Sequence, residues 1–198
     1  MDAQNSKDAD DLLQAGLAAS QANDAERALE LFAQASAASP ASGIPHFLAG
    51  SEYAALGQYE KAEAALANAV LLAPAFDIAR YQLGLLQFSS GRAAVALVTW
   101  QPLFALDDTQ ALGHFVRGFA ALAQDGFAQA KVDFQAGLER NTGNPALSAD
   151  IRKVMQGIDD ALAKTAPEVP APHEPAEADP SAAHVLLSNY GKFGGTLH

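Results

Sequence analysis

The residues of this chain best suited to catalysis or metal binding are its five histidines, His46, His114, His173, His184 and His198. Their spacing supports neither role. None stands in an HExxH arrangement, in which one helical turn offers two imidazoles to a metal and a carboxylate to its water. There is no cysteine, hence no thiolate site and no disulfide framework. The GxSxG turn of a serine nucleophile and the GxxxxGK phosphate loop are absent, and no motif pairs two carboxylates for acid–base work. Gly191, Gly194 and Gly195 form no phosphate loop, because no helix follows them in the sequence. The expected cofactor and metal content is therefore none, and the chain reads as a binding protein, not an enzyme.

Charge narrows the class of partner. Twelve Lys and Arg stand against 23 Asp and Glu, a net charge of −11. Phosphate backbones and anionic membrane surfaces both call for a basic face, so neither nucleic acid nor such a membrane is expected as partner. No stretch approaches the ~18 apolar residues of a membrane span, so no membrane insertion is expected. The first residues, MDAQNSKDADD, lack the basic-then-apolar pattern of a signal peptide. A cytoplasmic location is the expectation, and a cysteine-free composition fits it.

The elements that position these residues are announced by a repeat. Gly16, Gly50, Gly84 and Gly118 advance in steps of 34, and so do Ala28, Ala62, Ala96 and Ala130. A period of this length predicts an all-α fold, an α-solenoid of stacked helical hairpins. The expected units are 9–42, 43–76, 77–110 and 111–144, after a short polar lead at 1–8 whose Ser6 caps the first helix. The turn of the first unit carries Asn23, a residue that tolerates a left-handed backbone, and that of the second is a tight turn at Gly57; Gly91 and Asp125 continue this step of 34 in the third and fourth units. The small residues let two axes approach to roughly 8–10 Å. The large residue four places after each alanine (Phe32, Leu66, Trp100, Phe134) is expected to fill the seam to the next hairpin. Pro102 is expected to bend a helix running from about Arg92 to Leu106, leaving the Val98 carbonyl without its intrahelical partner.

Beyond the repeats, Ile151, Val154, Met155, Ile158 and Leu162 recur at helical spacing and predict a capping helix over 145–164. Residues 165–183 are rich in Pro, Ala and Glu and read as an extended, disordered linker. Residues 184–198, HVLLSNYGKFGGTLH, turn apolar again and read as a tail peptide.

The residue types at this step, with Gly50, Tyr53, Gly57, Ala62, Leu66, Ala69 and Pro74 as the fullest set, make residues 9–144 resemble four tetratricopeptide repeats. The family often places Trp or Tyr at the fourth position of a unit. Leu12, His46, Arg80 and His114 stand there in this chain. The two histidines are taken as packing residues in place of that aromatic. The resemblance implies a concave face lined by first helices that binds peptides or partner proteins. On this chain the implied groove residues are Leu13 and Leu17 in the first unit, and Phe47, Leu48 and Ser51 in the second. In the third they are Tyr81, Gln82, Leu85 and Phe88, and in the fourth Phe115, Val116, Phe119 and Leu122. Relatives that clamp the acidic termini of heat-shock chaperones use Lys, Arg and Asn there, so the apolar set at Leu13, Leu17 and Leu48 implies another ligand. The chain is also similar, in repeat content and acidity, to the tetratricopeptide chaperones of bacterial type III secretion.

The expected function is a protein-interaction adaptor or chaperone whose groove binds an apolar peptide segment. The chain's own tail is one candidate for that segment, through Leu186, Leu187, Tyr190 and Phe193. The alternative is an assembly subunit that self-associates, as a homodimer for instance, or joins a larger complex through the tail.

Overall fold

The computed structural model describes residues 2–165, and the side chains of 7–164. Within them the chain is all-α, built of helical hairpins and one final single helix. The helices are α1 (Asp2–Gln21), α2 (Ala25–Ala38), α3 (Ile44–Ala55), α4 (Tyr59–Leu72), α5 (Asp77–Ser89), α6 (Ala93–Thr99), α7 (Ala111–Leu122), α8 (Phe127–Arg140) and α9 (Pro145–Thr165). A 3-10 helix, Gln101–Ala105, follows α6. The residues fall into two compact units, one ending at Gln87 and one beginning at Phe88.

The turns inside the hairpins follow from backbone sterics. Asn23, Gly57, Gly91 and Asp125 have φ of 59°, 70°, 79° and 56°. They are the four residues spaced by 34, and each is Gly, Asn or Asp, the types that tolerate a left-handed backbone. Asp24 then caps α2, its carboxylate accepting the Arg27 amide at 3.1 Å.

In the first unit α1 packs on α2, α3 on α4, and α2 on α3. Ala28, Phe32, Ala35, Ala62, Leu66 and Ala69 are buried along the second helices. The repeated glycines explain the close pairing. A Cβ on Gly16 would lie 2.5 Å from the Phe32 ring, and one on Gly50 would lie 2.8 Å from Leu66 Cγ. The large residue thus fills the glycine notch of its own hairpin, where the sequence reading had it filling the seam to the next one.

In the second unit α7 packs on α8 and on the 3-10 helix, and α9 closes against α8. The Gly118 notch holds the Phe134 ring in the same way, at 2.5 Å from a would-be Cβ. An aromatic cluster forms the core, with Phe119 centroids 5.2 Å from Phe88, 5.4 Å from Trp100 and 5.0 Å from Phe134. On α9, Leu147, Ile151, Val154 and Ile158 are buried, while Leu162 is 41 % exposed.

Two local expectations are corrected. Helix α1 begins at Asp2, so Ser6 lies inside it and does not cap it; no Gly or Pro precedes Gly16 to stop the helix earlier. Around Pro102 there is no single bent helix. The α-helix ends at Thr99, with the Trp100 amide donating to the Ala96 carbonyl at 2.8 Å. Pro102 has no N–H for the Val98 carbonyl, and its ring crowds that position. The chain tightens into a 3-10 turn, in which the Leu103 amide donates to the Trp100 carbonyl at 2.8 Å. This brings both Trp100 and Leu103 into the core.

Candidate functional site

The first helices of the first unit lie side by side. The Ser20 hydroxyl of α1 donates to Glu52 Oε2 of α3 at 2.6 Å. The Ser51 hydroxyl of α3 is 3.1 Å from Gln82 Oε1 of α5 and equally far from the Phe47 carbonyl, and donates to one or the other. The Phe47 ring stands 4.9 Å from that of Phe76, just before α5.

Spacings of four and three residues put one stripe of each helix on a common side. On α3 the stripe is Ile44, Leu48 and Ser51. On α1 the residues 34 places earlier are Asp10, Gln14 and Leu17, and on α5 those 34 places later are Ile78, Gln82 and Leu85. Asp10 and Gln14 are exposed; Leu17, Leu48, Ser51, Ile78, Gln82 and Leu85 are half-buried. Ile44 is 48 % exposed, an unusual state for an isoleucine, whose side chain is among those most often buried. The result is a patchwork face, apolar at its middle and polar at Asp10, Gln14, Ser51 and Gln82. It offers contact area and hydrogen bonds.

Of the groove residues expected from the sequence, Leu13, Leu17, Phe47, Leu48, Ser51, Gln82, Leu85 and Leu122 are half-buried and retain accessible surface. Tyr81, Phe88, Phe115, Val116 and Phe119 are enclosed in the unit cores, off the open face that family geometry implies. Small residues opposite draw them in: the Phe115 ring takes the space a Cβ on Gly137 would fill. Ile44 and Ile78 were missed, although their place, the second of each unit, is readable from the 34-residue register. The tail anchors Leu186, Leu187, Tyr190 and Phe193, and the linker at 165–183 beyond its first residue, lie outside the described residues.

The fourth-position residues do more than pack. Arg80 Nη2 donates to the Pro74 carbonyl at 2.9 Å, closing the connector into α5. His114, 34 places on, has Nε2 at 3.0 Å from the carbonyl of Asp108, itself 34 places after Pro74. A carbonyl only accepts, so Nε2 carries the proton and Nδ1 accepts from Arg117 Nη2 at 3.1 Å. Arg117 also pairs with the Asp108 carboxylate at 3.1 Å, and Arg140 Nε donates to the Asp108 carbonyl. His46 Nε2 lies 3.1 Å from Ser36 Oγ of α2. Besides standing in the aromatic's place, each histidine ties its helix to the segment before it. In the same connector, hydrogen bonds from the Thr109 hydroxyl and amide and the Gln110 side chain hold the Asp107 carboxyl below the usual carboxylate range.

Among the described residues no group of three or more His, Cys, Asp or Glu is placed to hold a metal, and no helix is long and apolar enough to cross a membrane.

No family model matches the chain, and no curated protein matches it. Among solved structures, the crystal structure of MamA matches with a TM-score of 0.55 at 20 % identity, over 67 % of this chain and 77 % of that one. At that identity the likeness shows the fold, and it agrees with helical hairpins of the tetratricopeptide type.

Proposed function

We propose that the chain is a protein-interaction module, an adaptor or chaperone, that receives an apolar peptide segment on the α1–α3–α5 face of its first unit. The observation that carries this reading is Ile44, half exposed at the head of a stripe whose neighbours Leu48 and, on the flanking helices, Leu17 and Leu85 are only half covered. Ser20–Glu52 ties α1 to α3, and Ser51 stands within hydrogen-bond reach of Gln82 on α5, so the helices are arranged before any ligand arrives, which lowers the ordering cost of binding. Ser51, Gln82 and Gln14 suit the backbone of an extended segment, and the leucines suit its side chains. Catalysis forms no part of this function. Assembly through the apolar residues 184–198, as a homodimer or in a larger complex, is the second reading, and the composition of that segment favours it.

The test is co-purification of the full chain with its partner. Leu48→Glu sets a charge against the ligand's apolar anchor and weakens binding at least about tenfold. Val132→Glu, at a residue 63 % exposed on α8, serves as control and keeps the partner. Retention of the partner by Leu48→Glu overturns the assignment of the face.

A further inference from the structure

Resting on that reading of the face, we propose that its resident occupant is the chain's own segment 184–198, which blocks the face until an outside ligand displaces it. The argument starts from the distribution of charge. Residues 2–87 carry eleven Asp and Glu against four Lys and Arg. Residues 88–165 are nearly balanced, with eight against seven, and residues 166–183 hold four acids and no base. Residues 184–198 hold no acid at all, one lysine, Lys192, and a histidine at each end. The segment 184–198 thus joins apolar and aromatic side chains to an acid-free composition with one lysine, while residues 2–87, which bear the half-buried leucines, carry the largest excess of acids over bases.

The pairing fits at the level of residues. Asp10 stands exposed on the α1 stripe, two turns before Leu17, at the register position that Ile44 holds on α3. A ligand that sets large apolar side chains on the leucines and a cation toward Asp10 satisfies both features. Leu186, Leu187, Tyr190 and Phe193 supply the first, and Lys192, next to Phe193, supplies the second. Residues 166–183 form a tether of 18 residues that can reach about 60 Å. Such a tether sets an effective concentration on the order of 1 mM. A segment with an untethered Kd of about 0.1 mM then fills the face about ten times out of eleven, so an outside ligand binds about tenfold more weakly than to an open face.

The probe is a fluorescently labelled synthetic peptide of residues 184–198, titrated against the full-length chain and read by anisotropy, with oligomeric mass followed over the same concentrations. A full-length variant carrying Leu187→Asp and Phe193→Asp should bind the probe about tenfold more tightly than the unaltered chain, with both monomeric. Probe made with Lys192→Glu should bind several-fold more weakly, the difference shrinking as salt is raised. Adding Leu48→Glu to the tail variant should abolish binding. Equal affinity for the unaltered chain and the tail variant overturns self-occupancy but leaves the face intact, provided Leu48→Glu still abolishes binding. Binding that ignores Leu48→Glu sinks the face itself. Absence of probe binding to every form shows that 184–198 has no affinity for the face and overturns the proposal. A dimer that the tail mutations dissolve makes a second copy's segment the occupant and overturns it as well.

Discussion

Gly118 shows how single atoms set the hairpin geometry. A Cβ there would lie 2.5 Å from the Phe134 ring, and the ring is fully buried against Phe119 and has nowhere to go. Gly118→Ala gains about 1 kcal/mol of helix propensity and loses more to overpacking. The net expectation is a loss of about 1–2 kcal/mol in chemical denaturation. Gly143→Ala, where a Cβ meets nothing within 4 Å, should stay within about 0.5 kcal/mol of the parent. His114 gives a second residue-scale prediction. His114→Phe sets an aromatic at this position, as tetratricopeptide repeats often do, but deletes the bonds to the Asp108 carbonyl and from Arg117. It should cost about 1–2 kcal/mol, measured in the same way, despite its greater apolar area. An equally stable variant would show that His114 merely fills space.

At the scale of elements, each helix is explained by what ends it and what it buries. Helix α9 stands alone and rests on four buried side chains of one face. Ile151→Ala should destabilise the second unit by about 2–4 kcal/mol through lost burial and the cavity left behind, read from the denaturation midpoint. The pairing of helices was legible in the sequence because glycine notches and left-handed turns are local demands that few residue types meet. The break at Pro102 was legible only in part. A missing amide can be read from one residue, but whether the chain bends or tightens depends on which side chains, here Trp100 and Leu103, gain burial. The lining of the face was harder still. Family spacing assigns Phe115 and Phe119 to a groove, while the small Gly137 and the aromatic cluster draw them inside. Helical periodicity states which residues share a side; it does not state how deep that side lies.

For the molecule as a whole, the repeat sets the architecture and the charge pattern sets what it can meet. On the reading we propose, an acidic unit with a partly exposed apolar face favours ligands that are apolar and not acidic. The side-by-side first helices suit the binding activity that we propose. The most direct measurement of that claim is the amide 1H–15N NMR spectrum of the full chain, compared with that of the Leu187→Asp, Phe193→Asp variant and with the variant after addition of the 184–198 peptide. The account predicts that peptide addition shifts Leu17, Ile44, Leu48, Ser51 and Gln82 and returns them toward their positions in the unaltered chain. Shifts confined to the outer sides of α6 and α8, around Val98 and Val132, or no shifts at all, would contradict it.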